Sequence, residues 1–159
     1  MEEKNWWEIL RIAGITLLML FAIGGEYLLF ANGFIQVHTI NYQRWADNNF
    51  KPAAVITFIF SMILVLSWYG IVLKAINRYD AKKHFWGYRI TWCFFLIISL
   101  FVAGIMSYLY CFTSSPISVL WFGGFLLANT IVTYWTTTAI STPNLIRHTV
   151  PFGGYLNHK

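Results

Sequence analysis

Residues 74–89, KAINRYDAKKHFWGYR, decide how this chain is read. The stretch holds five of the eleven Lys and Arg residues and separates two long apolar runs. Such a basic connection is expected to stay on the cytoplasmic face of a membrane. Lys74, Arg78, Lys82, Lys83 and Arg89 then set topology and meet lipid headgroups. Working outward from that loop, apolar segments fall at about residues 12–35, 52–73, 88–112 and 116–140. With the loop inside, both termini are inside and two short connections face out. The expected fold is therefore all-α: four antiparallel transmembrane helices with cytoplasmic N and C termini, forming one integral membrane domain over residues 1–159.

The totals agree with that reading. Hydrophobic residues make up 58% of the chain and charged residues 11%, whereas soluble domains carry about a quarter charged residues. The membrane is its solvent. The formal charge of +5 is distributed unevenly: Lys4, Arg11, Lys74, Arg78, Lys82, Lys83, Arg89, Arg147 and Lys159 lie inside, against Arg44 and Lys51 outside. This split follows the positive-inside pattern and favours anionic inner-leaflet lipid, not nucleic acid.

The N-terminal run is longer than a signal-peptide core and is read as a retained first span. Trp6 and Trp7 precede it, and Trp86 and Trp92 flank the start of the third, all as interfacial anchors. Pro52 and Pro116 open the second and fourth spans, where a missing amide hydrogen costs nothing in the first turn. The connection from Gln36 to Lys51 is expected to lie along the interface. The tail after Pro143 is expected to run extended against the inner surface or a partner. The absence of an Asn-x-Ser/Thr sequon fits a bacterial or organellar inner membrane, the bacterial one being the expectation.

Glu26 is the only acidic residue within an apolar run. A carboxylate at that depth must find a partner, reach water or stay protonated. It can neighbour Arg44 or Lys51 at the outer interface, bond another helix or subunit, or serve a proton or cation pathway. Gly24-Gly25 and Gly123-Gly124 lie at matched depth on the first and fourth spans, so those spans are expected to touch there. That contact either closes the bundle or forms a groove for a lipid, a pigment or another subunit's helix. Asn129 cannot hide its amide against its own helix and should face a neighbour, whereas the nearby threonines can bond their own carbonyls.

Chemistry is hard to find. His38, His84, His148 and His158 all fall in connections or tails, which disfavours an intramembrane haem or metal site. Cys93 and Cys111 are separated by about 27 Å of helix and cannot pair within one chain. The aromatic share of 19% suits lipid-facing and packing roles, with a bound carotenoid, chlorophyll or quinone as the alternative. No nucleophile-and-base pair, phosphate loop or carboxylate pair is present, so no enzyme is expected. The reading is a non-catalytic integral subunit or assembly partner of a larger membrane complex, with the bilayer and other integral membrane proteins as partners. The alternatives are a small oligomeric transporter or channel component using Glu26, with Asn129 and the threonines of the fourth span as the main candidates to line up with it, or an immunity-type inhibitor. In size and inferred topology the chain is similar to the immunity proteins against pore-forming colicins, which implies engagement of a toxin within the inner membrane. That likeness rests on size and topology alone.

Overall fold

The computed structural model describes residues 2–37, 41–76, 85–111, 116–142 and 147–151, and among these all regular structure is helical. Four helical runs are long and apolar enough to cross a membrane. They are Leu10–Ala31, Tyr42–Lys74, Trp86–Tyr110 and Ser118–Ser141, the first to fourth spans below.

The first span belongs to helix α1, Glu2–Ala31. Gly33 ends it, at φ 73°, with its amide donating to the Phe30 carbonyl at 3.1 Å. A side chain is excluded there twice over. Positive φ strains L residues, and a Cβ would stand 3.0 Å from the Tyr42 ring.

The second span starts ten residues before Pro52, at Tyr42, and so differs from the sequence expectation. Asn41 caps it, its side-chain oxygen accepting from the Arg44 amide at 2.9 Å. A short helix α2, Tyr42–Trp45, leads through a π turn, Ala46–Phe50, into α3, Lys51–Ile76. The wider turn explains how Pro52 is tolerated inside the run. In that turn the Lys51 amide reaches back five residues to the Ala46 carbonyl, so the spacing has already changed where proline's missing donor would break a regular helix. The interfacial segment expected over Gln36–Lys51 is thus largely a helical extension of the span.

The third span lies in α4, Phe85–Cys111. The fourth is made of α5, Pro116–Ile131, a second π turn, Val132–Thr136, and α6, Thr137–Ser141. It is the hub, packing against the first, second and third spans. Of its most apolar window 33% is buried, against 6% for the first span, which lies at the margin of the bundle.

Two cores form, one at each end. Phe30, Phe50 and Phe122 are fully buried in the first, with Ala53, Ala54 and Ala103. Phe30 is the centre, its ring 5.1 Å from Phe50, 5.3 Å from Trp45 and 6.0 Å from Phe125. Apolar surface gains little by leaving lipid for protein, so ring packing supplies the stability here, at about 0.5–1.5 kcal/mol per pair. The second core gathers Val65, Trp68, Val72, Trp92, Tyr134, Ala139 and Val150. There the Trp68 indole N–H donates to the Thr142 hydroxyl at 3.1 Å and the Trp92 indole N–H to the Thr138 hydroxyl at 2.9 Å.

Two expectations are corrected in this second core. Trp92 is 2% exposed and works inside the bundle, because Thr138 satisfies its N–H there; Trp86, 69% exposed, is the surface tryptophan of the pair. The tail is not simply extended. A 3-10 turn, Arg147–Thr149, folds back so that Thr149 and Val150 are buried, and Trp135 donates to the Pro151 carbonyl at 2.8 Å.

Candidate functional site

Glu26 and Asn129 meet in the structure. The Asn129 amide Nδ2 donates to Glu26 Oε2 at 2.6 Å, tying the first span to the fourth. Helix geometry selects this partner. Tyr27, one residue and about 100° further round the helix, instead donates its hydroxyl to Asp47 at 3.1 Å, and Lys51 stands 4.0 Å from the same Asp47 oxygen. Glu26 therefore faces the bundle while its neighbour faces the second span's π turn. The bond is short for an N–H···O pair.

Beside Asn129 the bundle encloses a small cavity of about 10 Å³ between the second and fourth spans. Ala54, Thr57 and Ser61 line one side, and Leu126, Asn129, Thr130 and Thr133 the other. Thr57, Ser61, Thr130 and Thr133 are each at most 2% exposed. Beyond it, Thr137 and Ser141 continue a buried row from Asn129 and Thr133 at four-residue intervals. Twelve residues of helix make that row about 18 Å long. The arrangement is an intramembrane carboxylate at the head of a polar seam in an otherwise apolar bundle.

The glycine pairs do not meet as expected. A Cβ added at Gly24, Gly25 or Gly124 would touch nothing within 4 Å, and all three are exposed. Gly123 packs against the third span, where a Cβ would stand 2.8 Å from the Ser107 hydroxyl. The first and fourth spans approach through longer side chains, the aromatic cluster and the Glu26 bond, so their backbones need no small residues at that crossing. On the fourth span, Gly124 instead floors a shallow groove walled by Leu120, Trp121 and Phe125.

Of the basic residues, Lys74 and Arg89 are exposed, and the Arg89 guanidinium lies 5.8 Å from the Trp86 ring centre. Arg78, Lys82 and Lys83 lie outside the described residues, as do the side chains of Trp6, Trp7, Arg147 and Cys111 and the whole of His38, His84 and His158. Among the described residues no group of three or more His, Cys, Asp or Glu comes together, and Cys93 is a free thiol.

Sequence reasoning missed the inward roles of Trp68 and Trp92 and the pairing of the second span's hydroxyls with the fourth span's. The indole acceptors had a signal: Thr138 and Thr142 stand four apart on one helix face. Thr57 and Ser61 repeat that spacing on the second span. No protein-family model matches the chain, no curated protein matches it in sequence, and no solved structure matches it in fold.

Proposed function

We propose that the chain is a non-catalytic integral subunit or assembly partner of a larger membrane complex, seated in the bacterial inner membrane with four antiparallel helices and both ends cytoplasmic. The alternation is supported by the two cores. The end of the first span (Phe30) and the starts of the second and fourth (Phe50, Phe122) share one; the end of the second (Trp68) and the start of the third (Trp92) share the other. The orientation rests on the nine-to-two distribution of basic residues.

The observation that carries the subunit reading is the uncovered face of the first span. Leu17, Leu18, Phe21 and Leu28 are exposed there, and Gly24 and Gly25 stand open among them. Each glycine costs a helix about 1 kcal/mol relative to alanine. Among the described residues nothing uses the room they leave, whereas an outside helix approaching closely would. The test is the composition of the particle extracted from native membranes in mild detergent through a tag after Lys159. Other proteins in fixed ratio, lost on Gly25→Leu, are the expected result. Extraction alone or as a symmetric oligomer refutes it.

The polar seam favours a second reading, a transporter or channel component in which Glu26 exchanges protons or a cation along Asn129, Thr133 and Thr137. In that case Glu26→Gln abolishes flux through reconstituted vesicles while assembly persists. The immunity reading is checked by protection of cells carrying the chain against a membrane-inserting toxin; no particular feature of the bundle favours it.

A further inference from the structure

The hydroxyls of this chain divide into two groups. Several of those in helices bond the carbonyl four residues back: Thr16 to Ile12, Ser67 to Ile63, Thr91 to Gly87 and Thr130 to Leu126 among them, at 2.8–2.9 Å. That local bond is the cheap way to carry a hydroxyl through lipid. Thr57, Ser61, Ser99, Thr133 and Thr137 do otherwise. Each is at least 98% buried, and among the described residues none of their hydroxyls has a hydrogen-bond partner. Thr57, Ser61 and Thr133 line the same cavity, two from the second span and one from the fourth. Leaving one such group dry costs about 1–3 kcal/mol, so three around one void ask for an occupant.

We propose that this cavity is a binding site for one internal water molecule, which bridges the second and fourth spans and joins them to Glu26. The size matches: a void of about 10 Å³ is at the lower limit for a single water, which needs two to four polar partners. Thr57, Ser61 and Thr133 supply three hydroxyls able to donate or accept. Asn129 lines the same cavity and gives an amide N–H to Glu26, so it is the residue through which the water joins the two-span hydroxyl cluster to Glu26. The Thr130 hydroxyl, bonded to the Leu126 carbonyl, is already committed. This assignment is independent of whether the chain is a subunit or a transporter.

Near-isosteric substitution tests it by sign. Thr137 is an internal control, since its hydroxyl is equally buried and unpartnered but does not line the cavity. Thermal unfolding midpoints of the full chain in mild detergent are compared for Thr57→Val, Ser61→Ala, Thr133→Val and Thr137→Val. If the water is present, the three cavity variants lose about 2–4 °C, while Thr137→Val is unchanged or gains. If all four behave alike, or the cavity variants are stabilised, the cavity is dry and the proposal fails. Should a variant not fold, an experimental map of the unaltered chain at water-resolving quality decides: a peak in hydrogen-bonding reach of Thr57, Ser61 and Thr133 is expected, and an empty site overturns it. A midpoint that rises with sodium at constant ionic strength assigns the site to a cation and also overturns it.

Discussion

Removing the Glu26 to Asn129 hydrogen bond should loosen the first span selectively. That span is the least buried of the four, so the aromatic cluster around Phe30, its packing along the fourth span and a few polar ties hold it, this bond and the one from Tyr27 to Asp47 among them. Interhelical hydrogen bonds in membranes average about 0.6 kcal/mol and reach about 1.7. A bond as short as 2.6 Å belongs at the upper end, so a coupling of about 1–2 kcal/mol is expected, a factor of about 5–30 in the folding equilibrium. A double-mutant cycle measures it, with Glu26→Leu, Asn129→Leu and the pair, each unfolded by denaturing detergent in mixed micelles and followed by helical circular dichroism. Glu26→Gln is the rescue variant, because an amide oxygen still accepts from Asn129. It should recover more than half of what Leu loses. A coupling under about 0.3 kcal/mol, or Gln no better than Leu, would refute the idea that this bond holds the span.

Other outcomes follow from the same geometry. Thr138→Val should cost more than Trp92→Phe, because the first strands a buried indole N–H, at about 1–3 kcal/mol, while the second leaves a hydroxyl still bonded to the Tyr134 carbonyl; equal losses in the detergent titration would contradict this. Gly33→Ala should destabilise by about 1–2 kcal/mol from positive φ alone, with the Tyr42 ring adding to it; an unchanged midpoint would mean that the turn tolerates Cβ. Gly123→Ala should destabilise through Ser107, whereas Gly25→Ala, which meets nothing, should stabilise the isolated chain by about 1 kcal/mol, and thermal melts of the two variants side by side check the contrast. Reporters fused after Arg78 and after Asp47 should read cytoplasmic and external respectively, and the reverse pattern would overturn the proposed orientation.

The sequence by itself determined the membrane class and the existence of four spans, since both depend on composition over about twenty residues at a time. It also marked Glu26 and Asn129 as anomalies, because a polar group's cost in lipid depends on its type and depth alone. It lined them up only as a condition of the transporter reading, and it did not locate the start of the second span. Proline reads as a helix opener, and only the π turn at Ala46–Phe50 lets the helix run through Pro52. The glycine pairs were misread for a related reason: matched depth constrains height along a helix but not the rotation about its axis. That rotation turned Gly24 and Gly25 outward, turned Glu26 toward Asn129 and set Thr57 and Ser61 against Thr133. Side-chain direction around a helix is decided by which helices become neighbours, so the polar seam belongs to the tertiary structure. When every helix face is apolar, periodicity carries little information about the inward side.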